Sequence, residues 1–194
     1  MTSYTDTQLD ALRELANIGS GTAGTALSTM LGKPIDINVP TVEALPVPEA
    51  VEAAGDPAEP RWGVVVPMVG DLPGHVLLLF PQEDAARLCE LLGVDVDSED
   101  GRSALGEIGN ILGTSYVNAL GQMLGLETEP APPMVVLDML GAILASVLLG
   151  SADAADVALL MDSALVVEGE SCSLSFLALP APGTVGDLLG RLGL

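Results

Sequence analysis

Basic residues are nearly missing from this chain. Six lysines and arginines and one histidine stand against 27 aspartates and glutamates, for a formal net charge of −21. A surface of that sign repels phosphate, which excludes nucleic acid and anionic membrane surfaces as partners. So many carboxylates with so few cations suit a high-salt cytoplasm, where screening removes self-repulsion. Cysteine is equally scarce. Cys89 and Cys172 make no disulfide framework, and there is no Cys-x-x-Cys and no histidine cluster. Both lie in apolar patterns and are expected to be buried free thiols, while His75 lacks nearby partners for a metal site. Aromatics are only 3% of a chain that is 49% hydrophobic, so the core must be built from Leu, Val, Ala and Met. No basic, apolar leader opens the chain. The longest apolar run, Met139 to Ala152, is 14 residues, short of the roughly 20 that span a bilayer. A cytoplasmic protein without membrane insertion is expected.

What the chain does have is a motif that occurs twice. Asp10, Glu14, Asn17 and Pro40 reappear 93 residues later as Ser103, Glu107, Asn110 and Pro133. At roughly one chance in twenty per letter, three identities at one offset arise by accident about once in ten thousand. The flanks agree as well, with Leu12/Leu105, Ile18/Ile111, Leu27/Leu120, Met30/Met123 and Gly32/Gly125 identical. The chain therefore reads as one domain over residues 1–194, made of two repeats at 7–93 and 100–193.

Both copies of the motif fall in helical patterns. At 100° per residue, Leu9, Leu12, Ala16, Ala23, Leu27, Met30 and Leu31 gather on one side, and Asp10, Glu14, Asn17 and Gly21 on the other. The second copy puts Leu105, Tyr116, Leu120, Met123 and Leu124 inside, and Ser103, Glu107, Asn110 and Thr114 outside. Each repeat so presents a carboxylate and a carboxamide to solvent one turn apart. The remaining pattern predicts, per repeat, a strand, a short helix, a β-hairpin and a closing helix. In the first half these are residues 35–47, the 46–58 region, 63–69 with 75–80, and 82–92. In the second they are 134–139, 141–149, 156–167 with 172–179, and 185–192. Hairpins imply antiparallel pairing. The expected fold is α+β, internally duplicated and pseudo-twofold. Its largely antiparallel sheet is shared between the halves, with the two long motif-bearing helices side by side.

The spaced motif, its duplication and the chain length resemble the CheC-type chemotaxis phosphatases, the family of CheC, CheX and FliY. The resemblance covers nearly the whole chain. It implies hydrolysis of the aspartyl phosphate on a CheY-type response regulator, with Glu14, Asn17, Glu107 and Asn110 catalytic. Asn110 and Asn17 would position the attacking water, and Glu14 and Glu107 would pair with a lysine of the regulator. Asp10, Ser103, Pro40 and Pro133 would complete the motif. The residues agree with such a role. Asn can hold a water by accepting and donating, but it is no base. Glu needs a cation or a proton to take. No phosphate loop, metal triad or nucleophile–base pair accompanies them, so each pair is half a site. No cofactor of its own is expected, Mg²⁺ being bound by the regulator. The resemblance also implies CheD as a partner, with Gly141 to Ser151 as its candidate surface and a buried helix as the plain alternative. A monomer is expected. The competing reading of the whole chain is a non-catalytic adaptor that binds CheD or the flagellar switch.

Three details stay open at this level. Asp10 either complements the helix dipole or acts in the site. Gly21, Gly106, Gly109 and Gly113 permit either close docking or tight packing on the sheet. Ile18 and Ile111 are either contact residues or the edge of the core.

Overall fold

A computed structural model describes residues 5–150 and 157–181. The elements run α1 (Asp6–Leu31), β1 (Ile35–Pro46), α2 (Val47–Ala53), β2 (Pro60–Gly70), β3 (Gly74–Pro81), α3 (Gln82–Leu91), α4 (Glu99–Leu124), β4 (Thr128–Pro130), β5 (Met134–Met139), α5 (Leu140–Gly150), β6 (Val157–Val167) and β7 (Glu170–Pro180). The helix expected at 185–192 lies outside the described residues, as does Ser151 at the end of the candidate CheD segment.

All seven strands form one sheet, and every pairing is antiparallel. The order is β1-β6-β7-β3-β2, with β4 and β5 both on the far side of β2. This is the α+β fold with an antiparallel sheet that the hairpin signals imply. The pairing scheme is unchanged when the halves are exchanged. Hairpins β2–β3 and β6–β7 meet through β3 and β7, and the leading strand segment of each half crosses to the hairpin of the other, β1 to β6 and the β4–β5 pair to β2.

Strands buried on both faces lose the polar alternation of a half-exposed sheet, so they read as continuous apolar runs. In β3, Val76, Leu78 and Phe80 enter one core, and Leu77 and Leu79 the other. In β2, Val64 and Val66 face the first and Val65 the second. The first core lies under α1, α3 and α4, with Leu12, Leu27, Leu88, Leu105, Ile108 and Leu112 among its buried members. The second lies under α2 and α5, through Val47, Ala50, Leu140, Ile143, Leu144 and Val147. Cys89 and Cys172 are both buried and neither is in a disulfide, as their apolar surroundings imply. Among the described residues the aromatics are used inside: Trp62, Phe80, Tyr116 and Phe176 are all buried.

The turn between β2 and β3 depends on Gly74. Its φ is 150°, and a Cβ there would stand 2.8 Å from Pro180 Cα, so no side chain fits. α4 is closed at both ends by local chemistry. The Ser98 side chain accepts from the Gly101 amide at 3.0 Å, and Gly125 takes the left-handed conformation at φ 63°.

The sequence pattern misses β4. The β1–β6 register shifts between Asn38 and Thr41, on either side of Val39 and Pro40. The corresponding stretch 93 residues on, 131–133, separates β4 from β5. A proline cannot donate to the ladder, so both copies interrupt pairing at this point. One half keeps a bulged strand and the other two short ones. Pro40 thus lies inside β1, an edge strand of the sheet.

Candidate functional site

The two motif helices lie side by side. A Cβ on Gly19 of α1 would come within 2.6 Å of the Tyr116 ring of α4, so Gly19 lets the helices touch. With Leu12, Leu15 and Ala16 buried beneath α1, the spacing of four and three carries Asp10, Glu14 and Asn17 to solvent, and all three are exposed. On α4, Leu105, Ile108 and Leu112 are buried while Ser103 and Glu107 are exposed and Asn110 is half-buried. Among the described residues, the side chains of Glu14, Asn17 and Glu107 have no hydrogen-bond or ion-pair partner. A carboxylate and a carboxamide left unengaged at the surface keep their full capacity for an outside partner.

The neighbours of the two pairs differ. The Asp10 carboxylate accepts from Arg13 Nη1 at 2.6 Å, with the two side chains 71% and 53% exposed. The first motif position is therefore engaged by a cation one turn on, and at that exposure the pair contributes little stability. The Ser20 hydroxyl donates to the Asn17 carbonyl at 2.9 Å, which leaves the carboxamide of Asn17 open. On α4, Thr114 Oγ1 donates to Asn110 Oδ1 over a long 3.5 Å. Gly21 holds the matching place on α1, and nothing lies within 4 Å of where its Cβ would be.

The open alternatives for the glycines and isoleucines now separate. Gly21 faces open space. Gly106, Gly109 and Gly113 pack on Val135, Val64 and Val66 of the sheet. Ile18 is 45% exposed beside Asn17, whereas Ile111 packs against the core. Pro133 lies 4.0 Å from the Gly106 Cβ position, so the second motif proline abuts the turn of α4 that carries Glu107. Because Val135 faces α4, the exposed Leu137 and Met139 share that face of β5. Both pairs thus have exposed apolar side chains nearby. Arg102, next to Ser103, holds its guanidinium 5.9 Å from the centroid of the Trp62 ring. Beside Asn17 a polar groove runs between α1 and β1, bordered by Ser20, Ser28, Asp36 and Asn38. The helical period singled out neither Ser20 nor the groove, because both depend on how β1 packs against α1.

The candidate CheD segment forms α5. Its Ile143, Leu144 and Val147 are buried in the second core, and Ala142, Ala145 and Ser146 are exposed. The buried-helix reading accounts for its apolar stripe, and the exposed positions among its described side chains are small. No helix among the described residues is long and apolar enough to cross a membrane.

Comparison with known proteins places this geometry in context. The model of the CheC-like family matches residues 8–43 and 101–137, two stretches that each contain a Glu–Asn pair and its proline. The CheY-P phosphatase CheC of Bacillus subtilis is 35% identical over 166 residues, covering 81% of this chain and 79% of that protein. The crystal structure of Thermotoga maritima FliY superposes with a TM-score of 0.77 at 22% identity, over 99% of this chain and 98% of the other. CheX from Borrelia burgdorferi, solved as a complex with CheY, BeF3 and Mg²⁺, shares the fold at a TM-score of 0.52 and 16% identity, over 86% and 97%.

Proposed function

Because the chain belongs to the CheC-like family, we propose that it is a phosphatase that hydrolyses the aspartyl phosphate of a CheY-type response regulator in chemotaxis adaptation. The observation that carries this reading is a Glu–Asn pair on each of two adjacent helices, with Glu14, Asn17 and Glu107 exposed and unengaged and Asn110 half-buried beside Thr114. Each pair enters the regulator's active site as the missing half of a hydrolytic centre. Asn17 and Asn110 hold the attacking water by one accepted and one donated hydrogen bond. Glu14 and Glu107 meet a lysine of the regulator, which fixes the depth and angle of insertion. The regulator brings Mg²⁺, which neutralises charge developing on the phosphoryl oxygens. This division of labour needs few residues, since positioning alone can lower a barrier by several kcal/mol. The protein works in the cytoplasm as one domain of two repeats, and CheD docks on α5.

The test follows the decay of phosphorylated regulator with and without the protein. The wild type shortens its lifetime. Glu14→Ala with Glu107→Ala, or Asn17→Ala with Asn110→Ala, returns decay to the regulator's own rate while the far-UV circular dichroism is unchanged. A wild type that leaves decay unaltered yet binds CheD or switch components would select the adaptor reading instead.

A further inference from the structure

The two Glu–Asn pairs share one spacing but stand on different foundations. Gly106, Gly109 and Gly113 of α4 correspond, 93 residues earlier, to Arg13, Ala16 and Ser20 of α1. On α4 the absent side chains let the backbone lie on the sheet. A Cβ at Gly106 would stand 3.3 Å from Val135 Cγ2, one at Gly113 would stand 3.3 Å from Val66 Cγ2, and one at Gly109 would stand 2.8 Å from Val64 Cβ. The last is closer than packed atoms approach, and Val64 Cβ is held by its own strand. Each helical glycine is less favourable than alanine in a helix interior, a cost that the close contact offsets.

α1 has a side chain at all three places and stands off from the central strands. Its close backbone neighbours are α4 and β1, while those of α4 include β2, β3 and β5. Beneath it, Leu12, Leu15 and Ala16 border an apolar cavity of about 30 Å³ that Val76, Met161 and Phe176 also line and that meets α4 at Tyr116 and Val117, beyond the turns carrying Glu107 and Asn110. Atoms lining a void lack partners on one side, so α1 can shift with less resistance than a helix seated on β2. The carboxamides differ in the same sense, since Asn110 has Thr114 to orient it and Asn17 has none.

We propose that the pairs are unequal: Glu107 and Asn110 form the preorganised site, and Gly109, through its seat on Val64, is the positioning residue that sets it. The Glu14–Asn17 pair binds the same regulator but holds its water less well. A misplacement of about 1 Å can cost on the order of 100-fold in rate, so the difference falls on kcat rather than KM. This inference rests on the phosphatase reading above.

The experiment uses the full chain and a phosphorylated CheY-type regulator. Glu14→Ala with Asn17→Ala leaves the α4 site alone, and Glu107→Ala with Asn110→Ala leaves the α1 site alone. The α4-only protein is expected to keep most of the wild-type kcat, and the α1-only protein to fall about tenfold or more at unchanged KM. In the α4-only protein, Gly109→Ala lowers kcat about tenfold, and adding Val64→Ala, which removes the two methyls that the new Cβ strikes but keeps Val64 Cβ, recovers part of that loss. In the α1-only protein, Gly109→Ala leaves kcat unchanged. Equal kcat in the two single-site proteins, or a Gly109→Ala loss that Val64→Ala fails to rescue, overturns the inference while leaving the phosphatase reading intact. Hydrogen exchange decides the matter without catalysis. Amides 105–113 are expected to exchange about tenfold more slowly than 12–20, two stretches equally far from the starts of their helices. Equal protection overturns the inference whether or not any regulator is hydrolysed, and an inactive wild type sinks the phosphatase reading alone.

Discussion

Tyr116 shows how one side chain can be kept at a cost. Its ring is buried against Phe176 at a centroid distance of 4.5 Å, tilted by 46°. Among the described residues neither its hydroxyl nor that of Ser163 completes a hydrogen bond. Burial pushes the phenol up to about 12, with the facing Ser163 hydroxyl pulling slightly the other way. The unfolded chain releases this proton near pH 10. Between there and pH 12 the native state retains a proton that the unfolded state has lost, so stability falls as pH rises, by roughly 2–3 kcal/mol in all. Below pH 10 the shift has no effect. Tyr116→Phe is therefore expected to be about 1 kcal/mol more stable than wild type at neutral pH, having lost an unpaired buried hydroxyl. The gap should widen in urea melts at pH 11. An unchanged gap would mean that the hydroxyl finds a partner, such as a buried water. At this same scale the exposure of the motif residues is legible in the sequence. Glu14, Asn17 and Glu107 are exposed because the helical period opposes them to Leu12, Leu15 and Leu105, and that opposition needs no tertiary information. The footing beneath them was not legible, since Gly109 looks like any other helical glycine until Val64 is brought under it.

Among the elements, α5 and β5 show what local pattern leaves unsettled. A wholly apolar helix signals burial but not which sheet face it covers. In the fold its Leu140, Ile143, Leu144 and Val147 cover the face opposite α1 and α4. If CheD docks on α5, the exposed positions it can meet among the described side chains are Ala142, Ala145 and Ser146. Small side chains permit close approach of a partner backbone, and a guanidinium there would block it. Ala142→Arg with Ala145→Arg is expected to abolish CheD binding in calorimetric titration while leaving the fold and regulator dephosphorylation unaltered. Undiminished CheD binding would move that interface elsewhere. The strands tell a similar story. Their positions follow from apolar runs and turn residues, but their order does not. That β1 pairs with β6, and β5 with β2, is a contact between distant parts of the chain. The crossing ties the halves together, since the leading strand of each is completed by the hairpin of the other. The split of β4 from β5 escaped notice because three residues opposite Gly70 and Met68 are too few to make a period.

For the whole molecule, charge is the dominant unbalanced quantity. Six lysines and arginines face 27 acidic residues, and the ion pairs among the described residues are Arg13 with Asp10, Lys33 with Glu168, Arg61 with Glu59, and Arg87 with Asp84. Most carboxylates therefore have no cation beside them, and their mutual repulsion opposes the compact state, in which they are closest. Salt acts on this term directly, because the Debye length falls from about 10 Å at 0.1 M to about 3 Å at 1 M. The aliphatic cores supply stability that depends far less on ionic strength. Raising KCl from 0.1 M to 1 M should thus increase the melting temperature steeply, by roughly 5–10 °C if screening recovers a few kcal/mol, and further KCl should add little. The same screening weakens any long-range attraction or repulsion between this chain and its regulator. Salt dependence of dephosphorylation must then be read at regulator concentrations high enough to saturate, where kcat reports the seated complex. A melting temperature indifferent to KCl over this range would show that the carboxylates are spaced widely enough for water alone to screen them, and the high-salt reading of the composition would fall.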